Sequence, residues 1–235
     1  MQGLYNCFPH WGNGNGVFIL GDCHFGEQDL KDAYPMRPSD EELVKRINSK
    51  AGKNSTLIIL GDVGDVSCVR KLRAAYKILI LGNHDLGATK YKREFAFKRY
   101  DAKIWTKQEA MKDMEKFYPD LNLDCLSNYD GSYWGIKADN GLFDEVYAGP
   151  IMISEKILLS HEPIPNCSWV YNCHAHVHDP HIKDDAYHFN FNIDGKQHYE
   201  PWNFNQWLKE GHTSKIQSLH RQTIDGATER KRNRK

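Results

Sequence analysis

Long hydrophobic runs, an excess charge of either sign and a signal-peptide pattern are all missing from this sequence. Its apolar runs are only a few residues long, far short of the roughly 20 residues that a membrane helix needs. The 31 basic and 31 acidic residues cancel, so net charge gives no argument for a nucleic-acid or membrane partner. Met1–Gly16 lacks the basic and apolar regions of a signal peptide. These absences predict a cytoplasmic protein without a membrane partner.

Paired cysteine motifs are also missing. The six cysteines are scattered along the 235 residues without a CxxC pair. In a chain of this length, that pattern is typical of free thiols in a reducing cytosol, and disulfides are the less favoured alternative. Hydrophobic residues make up 40% and charged residues 26%, as in a globular protein with a sizeable core. We expect a single domain over residues 1–227, followed by a basic disordered tail over residues 228–235.

Four short runs rich in isoleucine, leucine and valine predict buried strands. They are Val17–Leu20, Leu57–Leu60, Ile78–Leu81 and Ile157–Leu159. Continuous apolar runs of this length suit strands that are buried on both faces. Between the first two, Ser39–Leu43 has the pattern of a capped helix start. Strands that alternate with helices predict an α/β fold.

Residues 89–120 differ from the rest in being charged and aromatic. We expect them to form a helical or loop-like insertion that packs over one end of the sheet. Two interpretations stay open, a solvated connecting helix, which is favoured, and a lid over a substrate. The basic tail at residues 228–235 is favoured as a solubilising segment, although contact with nucleic acid stays an alternative.

Polar side chains that can bind a metal follow the predicted strands. Asp22, Asp62 and Asn83 each come after an apolar run and a glycine. His161 follows the fourth strand, and the histidine cluster YNCHAHVHDPH, at residues 171–181, follows a fifth apolar run. In open α/β sheets, sites form at the carboxyl ends of strands. Aspartate, the asparagine oxygen and neutral imidazole suit Mn, Fe, Zn or Ni. One such residue would usually be a turn former, but five in register predict a metal site.

These residues resemble the motifs of the calcineurin-like metallophosphoesterases, in that family's order along the chain. The matching stretches are Asp22–Cys23–His24, Gly61–Asp65, Gly82–Asp85, His161 and the histidine cluster. The stretches GDCHFG, Arg37–Pro38 and LLSHEP also look like a compact bacterial and phage branch. The resemblance implies an αββα sandwich, in which two stacked mixed β-sheets are flanked by helices.

The histidine cluster leaves two registers open for the family's last motif, Gly-His-x-His. With Cys173 at the glycine position, His174 and His176 would be the ligands. With Ala175 there, the ligands would be His176 and His178. We expect the second register, because alanine is the smaller departure from glycine. Alternate residues of an extended segment share one face, so geometry alone leaves His174 open as a ligand.

The resemblance implies two divalent metal ions, with manganese expected and iron, zinc or nickel as alternatives. The first ion would be bound by Asp22, His24, Asp62 and His178. The second would be bound by Asp62, Asn83, His161 and His176. Asp62 would bridge the two ions, since a carboxylate has two oxygens. A hydroxide bridging the ions would attack phosphorus in line with the leaving oxygen.

The resemblance also implies that His84 is the catalytic general acid. Asp85, or alternatively Asp65, would hold His84 in its useful tautomer. Val66 stands where many phosphatases of the family have an arginine that clamps phosphate, which argues against strong phosphomonoester selectivity. Arg37 would compensate if its loop folded over the site.

The sequence therefore predicts a dinuclear metal-dependent phosphoesterase that hydrolyses a phosphomonoester or phosphodiester. Its substrate would be a phosphorylated small molecule or a nucleotide. A metal-dependent nuclease for single-stranded nucleic acid is one alternative, for which residues 90–107 offer basic and aromatic side chains diluted by acidic ones. A non-catalytic metal-binding protein is the other. His84 argues against it, because a purely structural site would not require this histidine beside the ligands.

Overall fold

The computed structural model describes residues 8–12, 16–85, 97–98, 106, 108–109, 112–113, 116, 124–127, 134–137, 142–147, 149–165, 168–179, 182, 184–195 and 199–232. Most of the predicted insertion at residues 89–120, and residues 233–235 of the tail, lie outside these ranges. The assignment of residues 1–227 to a single domain stays a prediction.

Twelve strands and five α-helices lie within the described residues. The strands are β1 (Val17–Leu20), β2 (Thr56–Leu60), β3 (Tyr76–Ile80), β4 (Phe97–Lys98), β5 (Asp124–Ser127), β6 (Trp134–Lys137), β7 (Glu145–Tyr147), β8 (Ile151–Ser154), β9 (Ile157–Leu159), β10 (Tyr171–His174), β11 (His188–Asn190) and β12 (Trp202–Asn203). The helices are α1 (Gln28–Ala33), α2 (Asp40–Lys50), α3 (Val66–Val69), α4 (Phe204–Lys209) and α5 (Leu219–Arg232), and Pro9–Gly12 forms a 3₁₀ helix.

The first sheet is mixed and contains three of the predicted strands. Its order is β12-β1-β2-β3-β7, in which β1, β2, β3 and β7 are parallel and β12 is antiparallel to β1. Every residue of β1 and β2 is buried, as their continuous apolar runs predict.

The second sheet has the order β11-β10-β9-β8, with β8 antiparallel to its neighbour β9. Gly21 connects the two sheets, since its N–H donates to the Phe191 carbonyl and its own carbonyl accepts from Ile193, both at 3.0 Å. These bonds bring the carboxyl end of β1 next to the segment that follows β11. A third, antiparallel sheet has the order β4-β6-β5.

The predicted fold class is confirmed, because two mixed sheets are flanked by helices. The predicted helix start is also correct. Ser39 precedes α2, and its hydroxyl accepts a hydrogen bond from the Glu42 N–H at 3.3 Å. Leu43, Val44 and Ile47 of this helix are buried in the core. No helix in the described part of the chain is long and apolar enough to cross a membrane.

The disordered tail predicted from residue 228 is corrected in part. Residues 228–232 continue α5 to Arg232. An Arg221–Asp225 pair at 3.2 Å, spaced one turn apart, supports this helix. The basic residues of its last turn favour the negative end of the helix dipole. The charge run therefore ends a helix.

Candidate metal centre

Two glycines allow the loops after β2 and β3 to touch. A Cβ atom added to Gly61 would lie 2.6 Å from the Gly82 Cα. A Cβ atom added to Gly82 would lie 2.1 Å from Oδ1 of Asp62. Any larger residue at either position would push the two strand ends apart. The glycines that sequence analysis noted after the strands therefore make room for the side chains of the site.

The backbone is strained at four of the predicted ligands. Asp22, His24, Asp62 and His176 have φ angles of 58°, 43°, 51° and 65°. Among the described residues, only one other non-glycine residue, Tyr199, has a positive φ. Each such conformation costs on the order of 1–3 kcal/mol and persists where surrounding contacts enforce it, which is common at functional sites. The strain therefore marks the same residues that the motifs predict.

Asp22, His24 and His178 form the first group of candidate ligands. Oδ1 of Asp22 lies 3.7 Å from Nε2 of His24 and 3.7 Å from Nε2 of His178. This oxygen is buried and has no hydrogen-bond partner, whereas Oδ2 accepts from the His176 N–H at 2.6 Å. A buried carboxylate oxygen without a partner is costly. A divalent cation between the three side chains would satisfy it, so the group fits a metal.

Asp62, His161 and His176 form the second group, which Asn83 joins. Nε2 of His161 lies 3.3 Å from Oδ2 of Asp62 and 3.1 Å from Nδ1 of His176. Oδ1 of Asn83 is 2.8 Å from the same nitrogen. Donor atoms of Asp62, Asn83 and His176, which follow three other strands, therefore lie within 3.3 Å of Nε2 of His161. Oxygen and imidazole ligands of this kind suit first-row divalent metals.

The Asp62 carboxylate lies between the two groups. Its Oδ2 atom is 3.5 Å from Nε2 of His24 in the first group and 3.3 Å from Nε2 of His161 in the second. Its Oδ1 atom accepts a hydrogen bond from the His84 N–H at 2.9 Å. The structure therefore brings the seven predicted ligands together, with the Asp62 carboxylate close to histidines of both groups.

Protons and metal ions compete at His161. Its Nδ1 atom donates to the Leu60 carbonyl at 2.8 Å, so Nε2 is the nitrogen that faces the other ligands. Burial alone would lower the pKa of His161, but the hydrogen bond to Asp62 and the charge of Asp22 raise it to about 9. For Asp62, burial acts to raise the pKa, but His161 lowers it below its ordinary value. A cation bound here must displace the proton on Nε2.

In the histidine cluster, the structure places the two histidines of the favoured register near other candidate ligands. His176 and His178 lie in the two candidate groups. His174 instead ends β10, where it is buried and its Nδ1 atom donates to the Ala175 carbonyl at 2.8 Å. Burial lowers the pKa of His174, which favours its neutral form. Strand β10 ends at His174. His176 and His178 follow it and lie in a different environment from His174.

Arg37 does not extend over the site as a phosphate clamp. Its guanidinium is buried, forms an ion pair with Asp194, and donates to the backbone carbonyls of Asp22, at 3.1 Å, and Cys23. Asp194 also accepts from Nδ1 of His178 at 2.7 Å, which leaves Nε2 of His178 facing Asp22. Arg37 therefore holds the loop after β1 and positions the carboxylate that orients His178.

Sequence analysis did not identify Asp194 as part of the site. Its signal in the sequence is weak, since in the stretch FNFNIDG apolar residues alternate with asparagines before an acid and a glycine. At Asp22, Asp62 and Asn83 a glycine comes directly before the ligand, whereas here the acid comes before the glycine. Only the fold shows that Asp194 reaches a histidine 16 positions earlier in the chain.

The proposed role of Asp85 needs correction. Its carboxylate accepts from the backbone N–H groups of Asp62 at 2.7 Å, Val63 at 3.2 Å and Gly82 at 3.0 Å. Burial raises the pKa of Asp85, and these bonds oppose that effect. Asp85 therefore joins the loops after β2 and β3, and its contacts do not orient the His84 ring. Asp65, the alternative, caps α3 by accepting from the Ser67 N–H at 2.9 Å.

His84 lies at the solvent-facing side of the site. Its side chain is 54% exposed, and its ring centroid is 5.0 Å from that of His24. The nearest contact to a carboxylate is with Glu27, whose Oε2 atom lies 3.8 Å from Nδ1 of His84. Glu27 is the second residue that sequence analysis missed.

The strand ends of this two-sheet sandwich carry a mixed set of oxygen and imidazole donors that could hold divalent metal ions. The chain belongs to the calcineurin-like phosphoesterase family, whose model matches residues 17–210. It is therefore, in general terms, a metal-dependent phosphoesterase, and the family implies divalent metal ions.

Comparison with solved and curated proteins adds no activity. A crystal structure of a protein of unknown function, AQ665 from Aquifex aeolicus, is similar at 18% identity and a TM-score of 0.48. The similarity covers 83% of this chain and 98% of that chain. No curated protein matches at a significant level.

Proposed function

We propose that this protein hydrolyses phosphodiesters at a centre of two divalent metal ions, with manganese as the first metal to test. The position of Asp62 carries the proposal. One carboxylate within 3.5 Å of a histidine from each ligand group is what two cations with a shared ligand require. A site for a single ion would not need two groups joined in this way.

Each side chain has a role in this proposal. The two cations, when bound, supply Lewis acidity toward phosphate oxygens and lower the pKa of a water molecule. Asp22, His24 and His178 hold one cation, and Asn83, His161 and His176 hold the other, with Asp62 shared. His84 donates a proton to the leaving oxygen, a role that its exposure and its place beside His24 support.

The surroundings of the site favour a diester over a monoester. A phosphomonoester dianion needs additional positive charge near its oxygens, usually from arginine. Val66 occupies the position where many family phosphatases have that arginine, and Arg37 is engaged by Asp194. A phosphodiester carries one negative charge and depends less on such a clamp. We propose a phosphorylated small molecule or a nucleotide diester as the substrate, in a cytoplasmic setting.

The two alternatives remain weaker proposals. The basic and aromatic side chains that would support a nuclease fall mostly outside the described residues, so no observed groove supports that activity. A non-catalytic role is opposed by His84, which is half-exposed beside the ligands and is not needed to hold a metal.

The test is hydrolysis of bis(p-nitrophenyl) phosphate and of p-nitrophenyl phosphate by metal-free protein with and without added Mn²⁺. We expect Mn²⁺-dependent cleavage, faster for the diester. Asp62→Asn should abolish it, whereas Asp29→Asn, which removes the same charge from an exposed position on α1, should not. Activity that survives chelation, or a metal-loaded protein that cleaves neither compound, would contradict the proposal.

A further inference from the structure

We infer that Glu27 is a positioning residue that orients both the metal ligand His24 and the proton donor His84. The inference rests on the proposed function, since that function gives His84 its role. Glu27 takes the place that the sequence assigned to Asp85 or Asp65. It would connect proton donation to metal binding through a single carboxylate.

The contact between Glu27 and His24 sets the orientation of the histidine. Oε2 of Glu27 lies 2.7 Å from Nδ1 of His24. Because a carboxylate only accepts, the proton of His24 must lie on Nδ1. Nε2 then presents its lone pair toward Asp22 and Asp62, whose oxygens lie 3.7 and 3.5 Å away. Carboxylates that hold histidine ligands in this way commonly increase metal affinity.

The same oxygen of Glu27 faces His84. It lies 3.8 Å from Nδ1 of His84, and the rings of His24 and His84 are nearly perpendicular, at 86°. This distance exceeds a hydrogen bond, but catalytic contacts often tighten only when substrate is bound. A small rotation of the exposed His84 ring would bring its Nδ1–H to the carboxylate. Nε2 would then be the atom that donates to the leaving group.

Within the described part of the chain, the carboxylate of Glu27 makes no hydrogen bond to backbone that would explain its position. Glu27 is the N-cap residue of α1, yet its side chain makes no capping hydrogen bond. Only its backbone is used, where its N–H donates to the His24 carbonyl at 3.2 Å. Asp85 and Asp65, by contrast, both accept from backbone N–H groups. The Glu27 carboxylate therefore hydrogen-bonds to His24 and lies close to His84.

The loop that carries Glu27 is held from two sides. The Phe25 N–H donates to the Val63 carbonyl at 3.0 Å, and the Gly26 N–H donates to Asp40 at 2.9 Å. Gly64 allows the close approach, because an added Cβ would lie 2.3 Å from the Phe25 carbonyl oxygen. Groups that are held before substrate arrives orient a site at lower entropic cost. The fixed loop therefore suits a positioning role for Glu27.

Binding of Mn²⁺ alone, measured by calorimetry on metal-free protein, tests the contact with His24. We expect Glu27→Ala to weaken binding by about 10–100-fold. Glu27→Gln should recover part of the loss, since its amide oxygen still accepts from Nδ1 of His24. Asp29→Asn, the matched control on α1, should match the parent. Thermal unfolding shows that each variant is folded. Equal affinities for Glu27→Ala and Asp29→Asn would overturn this half of the inference.

Leaving-group dependence tests the contact with His84. General acid catalysis matters most for a poor leaving group. Glu27→Gln should therefore slow cleavage of diphenyl phosphate about tenfold more than cleavage of bis(p-nitrophenyl) phosphate, at saturating Mn²⁺. In a His84→Ala background, the same change should add no further discrimination. Equal slowing of both compounds, or added discrimination without His84, would overturn the role at His84.

The two readouts separate this inference from the proposed function. A parent protein that cleaves no diester refutes the proposed function, and with it the role at His84. The effect of Glu27→Ala on Mn²⁺ affinity is measured without turnover, so it still decides the role at His24. An active parent with unchanged Glu27 variants would overturn the inference alone.

Discussion

The side chains of His161 and Asp62 are in contact within the site, with 3.3 Å between Nε2 of His161 and Oδ2 of Asp62. Each partner favours the charged form of the other, and the pKa of His161 rises to about 9. Without a metal, a proton on His161 stabilises the contact between the two side chains. A cation that binds there must replace this proton. Stability, metal affinity and pH are therefore linked at this one contact.

The metal-free protein should lose stability as the pH rises above neutrality. The pKa of His161 is about 9 in the folded protein, above the value of about 6.5 for an unfolded chain. Its stabilising effect is therefore complete below about pH 6.5 and is lost as the pH rises through about 9, by on the order of 2–3 kcal/mol. In EDTA, the Tm should fall over this range, and His161→Asn should flatten the dependence. A Tm that rises from pH 6.5 to 9 would contradict the account.

Metal binding should show the opposite trend. Because a cation displaces the proton from His161, the increase in Tm caused by Mn²⁺ should grow between pH 6.5 and pH 8. Calorimetry in buffers of different ionisation enthalpy should detect proton release on binding. The absence of proton release at pH 7 would show that His161 is already neutral.

Single alanine substitutions in the histidine cluster test the register. His176→Ala and His178→Ala should each lower the amount of Mn²⁺ bound, because each removes a candidate ligand. His174→Ala should keep the metal content, since this residue ends β10 and its ring hydrogen-bonds to the Ala175 carbonyl. His220→Ala, at an exposed position of α5, is the control. Loss of metal in His174→Ala with retention in His178→Ala would place the motif two residues earlier.

The Arg37–Asp194 pair should be important for both folding and metal binding. Asp194→Ala leaves a buried guanidinium unpaired, which typically costs about 3–5 kcal/mol. It also frees His178 to rotate, and we expect Mn²⁺ affinity to fall about 10–100-fold. Urea unfolding and calorimetry measure the two effects. Lys45→Ala, which breaks an exposed pair with Glu42, should leave the midpoint of urea unfolding nearly unchanged.

The contact between Gly21 and Ala175 explains how the chain tolerates alanine at a position where the family has glycine. A Cβ atom on Gly21 would lie 2.3 Å from Cβ of Ala175 and 2.7 Å from the Leu60 carbonyl oxygen. Gly21→Ala should therefore destabilise the protein by about 1–3 kcal/mol. Adding Ala175→Gly should recover part of this loss. Gly52→Ala is the control, because nothing lies within 4 Å of its added Cβ.

The candidate ligands could be predicted because each follows an element with a strong local signal. Runs such as Val17–Leu20 and Ile157–Leu159 became strands with those bounds, since short continuous apolar runs suit strands in the interior of a sheet. Parallel strands then deliver their following residues to one edge. This topology, together with the motif order, was enough to place seven side chains at one site.

The residues that orient the ligands could not be predicted in this way. Asp194 contacts Arg37, which is 157 positions away in sequence, and no local pattern encodes that pairing. The resemblance implied that Asp85 or Asp65 orients His84, but three backbone N–H groups donate to the Asp85 carboxylate. Glu27 belongs to none of the motifs that the sequence shows. In each case the contacts of the carboxylate depend on the tertiary fold, and the local sequence does not reveal them.

The most direct test of the central claim is an anomalous difference map from crystals grown with Mn²⁺. A centre of two metal ions predicts two peaks, about 3.5–4 Å apart, with the Asp62 carboxylate between them. Asp22, His24 and His178 should surround one peak, and Asn83, His161 and His176 the other. A single peak, or two peaks that do not share Asp62, would contradict the dinuclear centre.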